Sequence, residues 1–225
     1  MKLRIDVDAT DGAARTGSIA TARGVLPTPL FMPVGTRAAV KTLDTADLES
    51  LGIPLVLGNT YHLMLRPGAD VVAAMGGLHR FMDWSGHLLT DSGGYQIFSL
   101  EPKVTDDGAT FRSTYDGSTH HLTPEGAVEV QTLLGADIQM VLDVCPALPS
   151  SPAVVQAAVD RTAHWAQRAR RSFLAGAEAR AGRGLHQSQF GISQGGIDAS
   201  LRAESAQRTV EVGFDGYAIG GLSVG

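Results

Sequence analysis

Asp91 stands where a short apolar run gives way to small and polar residues that suit a binding site. The run His87-Leu88-Leu89 precedes it, and the segment Thr90-Asp91-Ser92-Gly93-Gly94-Tyr95-Gln96 contains it. The carboxylate of Asp91 can transfer a proton, the glycines allow a ligand close to the backbone, and Tyr95 offers a flat face for stacking. The segment therefore predicts a site at the end of a buried strand, although strand-Asp-Ser-Gly-Gly also occurs in ordinary tight turns.

Three later apolar runs end in comparable residues. They are Asp143 after 138–142, Gln194 after Phe190-Gly191-Ile192-Ser193 and before Gly195-Gly196, and the pair Gly220-Gly221 after Tyr217-Ala218-Ile219. Each has an ordinary explanation, because an aspartate can cap a helix and a glycine pair can form a turn. Four such residues at successive strand ends favour one shared site, since the C-terminal ends of parallel strands lie at the same edge of a sheet.

The chemistry of this set suits one edge of a planar heterocycle. A carboxylate accepts from two adjacent N–H groups, while a glutamine amide and a glycine N–H donate to a carbonyl. Guanine presents that pattern through N1–H, the 2-amino group and O6. An alternative is a glycoside hydrolase that uses Asp91 and Asp143 as paired carboxylates. The amide and the glycine pairs disfavour this alternative, because a sugar does not need that donor pattern.

Composition is that of an ordinary globular protein. The 225 residues are 44% hydrophobic and 18% charged, with a formal net charge of -5, so no global basic field favours nucleic acid. A local RNA-facing patch stays open for the arginines between residues 161 and 183. The single cysteine, Cys145, excludes an intrachain disulfide and a Cys-rich zinc site. Without a secretory leader or an apolar run of ~20 residues, the sequence predicts a cytoplasmic protein with no membrane partner.

Short apolar strands alternate with amphipathic helices along most of the chain. This alternation predicts an α/β fold with a parallel sheet, and both an open doubly wound sheet and a closed barrel fit it. No Gly-x-Gly-x-x-Gly follows the first strand, which favours a (β/α)8 TIM-type barrel. The strand candidates are Leu30 to Val34, Leu55 to Leu57, Leu88 to Asp91, Ile138 to Asp143, Phe190 to Gln194 and Tyr217 to Gly220.

The helix candidates have recognisable starts and stops. They run from Asp44 or Thr45 to Gly52, from Ala69 to His79, onward from Thr123-Pro124 and from Ser151-Pro152, and from Asp198 to Val212 before Gly213. We expect residues 1–225 to form a single catalytic-barrel domain that is incomplete, with about the first six strand–helix units. Residues 1–30 predict an N-terminal antiparallel hairpin or small sheet. The turn signals within residues 104–122 predict a hairpin insertion that could act as a lid over the site.

Six segments resemble the tRNA-guanine transglycosylases, also called queuine tRNA-ribosyltransferases, over essentially the whole chain. These segments are Phe31-Met32-Pro33-Val34-Gly35-Thr36, Gly58-Asn59-Thr60-Tyr61-His62-Leu63, 91–96, Leu142-Asp143-Val144-Cys145-Pro146, 193–196 and 216–225. The resemblance implies an irregular (β/α)8 barrel. It also implies exchange of guanine at the anticodon wobble position of tRNAs with GUN anticodons for a 7-deazaguanine, in queuosine biosynthesis.

The resemblance also implies roles for individual residues. Asp91 would be the general acid/base, and Asp143 would bind the N1–H and 2-amino edge of the base. Gln194 and the Gly221 N–H would bind O6, and Tyr95 would stack on the base. Ser92, Gly93 and Gly94 would shape the pocket. Cys145, Leu222 and Val224 resemble the pocket of bacterial members, which use preQ1 where eukaryotic members use queuine.

Family members continue well past the equivalent of Gly225. The further part carries the aspartate nucleophile, a zinc site of three cysteines and one histidine, and much of the tRNA-binding surface. We therefore expect this chain to correspond to the N-terminal portion, to contain neither the nucleophile nor zinc ligands, and to be inactive alone. Full-length members are expected to bind Zn²⁺ and to form homodimers. The alternative is a non-catalytic partner subunit or an inactive fragment of the same family.

Overall fold

The computed structural model describes residues 3–222, which contain twelve strands and nine helices. The strands are β1 (Arg4–Asp11), β2 (Ala14–Ala20), β3 (Val25–Thr28), β4 (Val34–Gly35), β5 (Leu55–Gly58), β6 (His87–Thr90), β7 (Lys103–Val104), β8 (Ala109–Arg112), β9 (Thr119–Leu122), β10 (Ile138–Met140), β11 (Ser188–Ser193) and β12 (Gly216–Ile219). The helices are α1 (Thr45–Ser50), α2 (Thr60–Leu65), α3 (Ala69–Ala74), α4 (Leu78–Met82), α5 (Gly94–Phe98), α6 (Pro124–Leu134), α7 (Pro152–Ala175), α8 (Ala177–Gly182) and α9 (Ala199–Val212).

A six-stranded parallel sheet is the centre of the fold. Its order is β12-β11-β10-β6-β5-β4, and each pair of neighbours runs parallel. The predicted α/β class with a parallel sheet is therefore confirmed. Within residues 3–222, β4 and β12 lie at the two edges of this sheet, so the incomplete barrel stays a prediction. The N-terminal strands β1, β2 and β3 form a separate antiparallel sheet, as the sequence predicts.

Apolar side chains cover both faces of the parallel sheet. On one face, Val56 and Leu88 pack in a cluster with residues of the surrounding helices. On the other face, Leu55 and Leu89 pack with Leu26 of β3. Neighbouring residues of one strand thus enter different clusters, which is the pattern of a sheet buried on both sides. Polar side chains are therefore confined to the strand ends and to the few positions where they find partners.

Several element boundaries differ from the sequence prediction: β10 ends at Met140 rather than Asp143, β11 begins at Ser188 rather than Phe190, and two further differences are larger. The predicted strand Leu30 to Val34 contributes only its last residue to β4, because Pro29 and Pro33 cannot donate to a strand ladder. The predicted helix Ala69 to His79 is two short helices, α3 and α4. Gly76 and Gly77 separate them with φ values of 95° and 84°, which a continuous helix cannot contain.

The insertion at 104–122 forms a packed antiparallel sheet. Phe111 of β8 is buried against Tyr61 of α2 in a cluster that also contains Trp165 of α7. The indole Nε1 of Trp165 donates to the Asp106 carbonyl at 2.9 Å, and Arg168 Nη1 donates to the same carbonyl at 2.7 Å. These contacts hold the β7-β8-β9 sheet against α2 and α7, and its role as a lid stays a prediction.

Gln131 of α6 joins the helix layer to the centre of the sheet. Its side chain is fully buried, and it hydrogen-bonds both backbone polar groups of Met140. Nε2 donates to the Met140 carbonyl at 2.8 Å, and Oε1 accepts from the Met140 N–H at 2.8 Å. Oε1 also accepts from Thr90 Oγ1 at 3.0 Å. One amide thus bridges the ends of β6 and β10, one residue before Asp91 and three residues before Asp143.

Replacing Gln131 by leucine is expected to lower the free energy of unfolding by about 2–4 kcal/mol, because three polar groups would lose their partners inside the core. Chemical denaturation measures this change. The exposed Gln167 on α7 provides the matched control, and Gln167→Leu should stay within about 0.5 kcal/mol of the parent. Equal effects of the two substitutions would contradict the bridging role of Gln131.

Candidate functional site

A cavity of about 440 Å³ opens at the C-terminal ends of β6, β10, β11 and β12. Its floor is apolar and includes Leu89, Met140 and Phe190. The predicted site residues that line it are Asp91, Ser92, Gly93, Gly94, Tyr95, Asp143, Cys145, Gly221 and Leu222. Gln194 lies behind this lining, where it hydrogen-bonds Asp143. The predicted pocket residue Val224 lies outside the described residues.

The Asp91 carboxylate is surrounded by hydrogen-bond donors. Oδ1 accepts from the Thr60 N–H at 2.8 Å and from the Gly93 N–H at 3.1 Å, while Oδ2 accepts from Asn59 Nδ2 at 2.8 Å. Burial raises the pKa of Asp91 to about 6, the two backbone donors oppose this rise, and the nearby Asp143 charge adds to it. Asp91 can therefore gain or lose a proton near neutral pH.

The start of α2 positions Asp91 through Asn59, a residue for which the sequence analysis predicts no individual role. Asn59 caps α2 by accepting from the His62 N–H at 3.1 Å through Oδ1, which leaves Nδ2 to donate to Asp91. Thr60 Oγ1 donates to the Asp91 carbonyl at 2.5 Å. The asparagine that follows the apolar run 55–57 and Gly58 was the available signal, because asparagine is favoured at helix N-caps. One helix start therefore holds both the carboxylate and the backbone of Asp91.

Asp143 lines the same cavity, and its carboxylate has two side-chain donors. Gln194 Nε2 donates to Oδ2 at 2.5 Å, and Ser92 Oγ donates to Oδ1 at 3.3 Å. Asp143 is 6% exposed and Gln194 is 1% exposed. Burial raises the pKa of Asp143, while the hydrogen bonds from Gln194 and Ser92 oppose this rise. The predicted residues from β6, β10 and β11 are thus brought into one hydrogen-bonded group.

Glycines are required where the backbone touches this group. A Cβ on Gly94 would lie 3.1 Å from the Asp143 carbonyl oxygen and 3.1 Å from its Oδ1. A Cβ on Gly220 would lie 2.5 Å from Gln194 Nε2, and one on Gly221 would lie 2.9 Å from Gln194 Oε1. Side chains at these positions would push Asp143 and Gln194 apart, so the glycine pairs follow from close packing of the site.

The mouth of the cavity carries Tyr95 and Cys145. Tyr95, on α5, is 53% exposed, so its ring is available to a ligand. Cys145 is partly buried, and burial together with the Asp143 charge raises the pKa of its thiol. The thiol is therefore uncharged near neutral pH, and it forms part of the cavity wall rather than acting as a nucleophile. Together these residues give an apolar slot with acceptors and donors at its inner end.

Three histidines that the sequence places in hairpins and loops have local partners. His62 hydrogen-bonds Tyr115, His120 hydrogen-bonds Ser118, and His121 hydrogen-bonds Thr110 and Asp107. Within residues 3–222, the described part of the chain, no three His, Cys, Asp or Glu side chains are arranged to hold a metal ion. No step is therefore assigned to a metal here, and zinc binding by full-length members stays a prediction. Across the same residues, no helix is both long and apolar enough to cross a membrane.

The raised pKa of Asp91 predicts a pH-dependent stability. The folded state holds this proton more tightly than the unfolded chain, in which the pKa is 3.8, so the free energy of unfolding falls as pH rises from about 4 to about 6. Asp91→Asn should remove a fall on the order of 2 kcal/mol, measured by denaturation at both pH values.

Asp143 contributes a fall of the same sign, so some pH dependence should remain in Asp91→Asn. The exposed Asp8 in β1 supplies the control, and Asp8→Asn should keep the pH dependence of the parent. Parallel stability curves for Asp91→Asn and the parent would contradict the burial of Asp91 as a proton-holding carboxyl.

Comparisons with known proteins show the family of this chain. The family model described as queuine tRNA-ribosyltransferase matches residues 9–225. A queuine tRNA-ribosyltransferase of Novosphingobium aromaticivorans is 51% identical over 97% of this chain and 58% of its own length. One of Cereibacter sphaeroides is 50% identical over 100% of this chain and 58% of its own. One of Solidesulfovibrio magneticus is 51% identical over 96% of this chain and 56% of its own length.

The chain therefore spans somewhat more than half the length of the curated relatives it matches. The match with the family model covers nearly all residues of this chain, including every described residue that lines the cavity. The identity to these relatives is near 50% across the same region. This chain belongs to the queuine tRNA-ribosyltransferase family.

Proposed function

We propose that the full-length protein exchanges guanine at the wobble position of tRNA anticodons for the 7-deazaguanine preQ1. The observation that carries this proposal is the hydrogen-bonded pair of Asp143 and Gln194 with the adjoining Gly221, which borders the same cavity as Asp91. The family match supports the reaction class. The substrate would be tRNA with GUN anticodons, and the product would serve queuosine biosynthesis.

The inner end of the cavity suits the hydrogen-bonding edge of guanine. The Asp143 oxygens have remaining lone pairs that can accept from N1–H and the 2-amino group. The Gln194 amide donates one hydrogen to Asp143 and retains a second for O6. The Gly221 N–H is a further donor for O6. The base would therefore be recognised by acceptors and donors held by the fold before it binds, which lowers the cost of ordering them.

The outer part of the cavity carries the residues that would stack on the base and exchange a proton with it. Tyr95 would stack on the base, a contact worth about 1–3 kcal/mol. Asp91, with its pKa of about 6, would exchange a proton with the departing or incoming base. Its donors from Asn59, Thr60 and Gly93 hold it ready and stabilise its charged form after the proton leaves.

Both carboxylates that line the cavity in residues 3–222 have assigned roles. The proposal therefore assigns the nucleophile to an aspartate elsewhere in the full-length protein, along with a zinc site of three cysteines and one histidine. The parallel sheet would be part of an irregular (β/α)8 barrel, and the full-length protein would act as a homodimer. Residues 1–225 alone would bind the base without turning over.

Two alternatives are less favoured. In a glycoside hydrolase, Asp143 would act as a free base or nucleophile, but Gln194 and Ser92 already donate to both of its oxygens. In a non-catalytic partner subunit, Asp91 would have no proton to transfer. The donors arranged around Asp91 and its raised pKa favour an active subunit instead.

Incorporation of labelled guanine into tRNA tests the proposed reaction. The full-length protein should exchange the base, and Asp91→Asn should lower kcat by about 10²- to 10⁴-fold because the general acid/base is lost. The KM for tRNA should change little. Asp8→Asn, on the exposed N-terminal sheet, should retain the kcat of the parent. Failure of the parent to exchange guanine, or full activity of Asp91→Asn, would refute the proposal.

The choice between preQ1 and queuine gives a second test. Val224 is proposed to close the pocket beside Cys145 against the larger queuine base. Val224→Gly should therefore gain queuine incorporation while retaining preQ1 incorporation, and Val224→Ile should continue to exclude queuine. Competition between the two labelled bases for the same tRNA measures the ratio. No gain in queuine use by Val224→Gly would contradict this steric role.

A further inference from the structure

Arg202 of α9 connects the two glycine-rich loops at the rim of the cavity. Its Nε donates to the Gly196 carbonyl at 2.8 Å, in the loop after β11. Its Nη1 donates to the Gly220 carbonyl at 2.7 Å, directly after β12, and to the Ser193 carbonyl at 3.5 Å. All three of these acceptors are backbone carbonyl oxygens. One guanidinium therefore fixes the loop that carries Gln194 relative to the loop that carries Gly221.

The contact with Gly220 also fixes the direction of the next N–H. In a trans peptide, the carbonyl of one residue and the N–H of the next point in opposite directions. Because the Gly220 carbonyl faces Arg202, the Gly221 N–H faces away from Arg202. Cys145 lies on that side, and the Gly221 N–H opposes the rise in the pKa of its thiol. The Gly221 N–H is thus directed at the cavity.

The neighbouring contacts prevent this peptide from turning easily. The Gly220 N–H donates to the Ser193 carbonyl at 2.8 Å, so Gly220 is held on both sides. Gly221 has a φ of 73°, and its missing Cβ would lie 2.9 Å from Gln194 Oε1 and 3.3 Å from Arg202 Nη2. The Gly220-Gly221 peptide is enclosed between the Gln194 amide and the Arg202 guanidinium, and Arg202 supplies the charged donor to its carbonyl.

We propose that Arg202 is a positioning residue that directs the Gly221 N–H into the cavity and thereby selects a base with a carbonyl acceptor at that edge. This inference rests on the proposed function, because it takes the ligand to be guanine or a 7-deazaguanine with the same O6. Arg202 acts through the Gly220-Gly221 peptide and does not touch the base. Without the guanidinium, the peptide can rotate and present its carbonyl, which repels O6.

Binding of two related bases distinguishes the positioning role of Arg202 from a general contribution to folding. Guanine and 6-thioguanine share N1–H and the 2-amino group, but sulfur at position 6 is a much weaker hydrogen-bond acceptor than oxygen. Arg202→Met in the full-length protein should weaken guanine binding about tenfold and leave 6-thioguanine binding nearly unchanged. Isothermal titration calorimetry measures both dissociation constants. Arg202→Lys, which retains a charge and reaches fewer carbonyls, should give a smaller loss for guanine only.

Arg208 provides the matched control on the same helix. It pairs with Asp160 and Glu204 on the protein surface, so Arg208→Met should leave both dissociation constants unchanged. Equal losses for guanine and 6-thioguanine in Arg202→Met, or no loss for either, would overturn the inference. If Arg202→Met does not fold, equal effects of Arg202→Lys on both bases would overturn it. Failure of the parent to bind guanine would instead refute the proposed function.

Discussion

The hydrogen bond between the Gln194 amide and the Asp143 carboxylate is the contact on which the rest of the site depends. Both side chains are nearly inaccessible to solvent, and a buried carboxylate is stable only where donors replace water. The contact joins the ends of β10 and β11. It also explains the glycines, because Gly94, Gly220 and Gly221 each lie where a Cβ would press on Asp143 or Gln194. Glycine is therefore required at these three positions because Asp143 and Gln194 lie so close to them.

Polar side chains from the helices hold the strand ends in place. Gln131 bonds the backbone of Met140, Ser205 Oγ accepts from the Gln194 N–H at 2.9 Å, and Asn59 donates to Asp91. Gln131 and Ser205 satisfy backbone groups near strand ends, and Asn59 satisfies the buried Asp91 carboxylate. The helix layer therefore does more than cover apolar surface: it sets the directions of the acceptors and donors that face the cavity.

The parallel sheet and the shared position of Asp91, Asp143 and Gln194 could be predicted from sequence, because one rule of topology brings successive strand ends to one edge. The contacts of Asn59, Gln131 and Arg202 could not, since their partners are set by packing between elements rather than by local pattern. The packing of the 104–122 hairpins could not be predicted for a related reason: turn signals predict a hairpin, but only the burial of Phe111 in it shows which elements it packs against.

A crystal structure of the full-length protein with guanine tests the proposed recognition of the base most directly. We predict that Asp143 accepts from N1–H and the 2-amino group, that Gln194 and the Gly221 N–H donate to O6, and that Tyr95 covers one face of the base. Guanine bound with O6 facing Asp143, or bound outside the cavity, would contradict the claim that this group recognises the base.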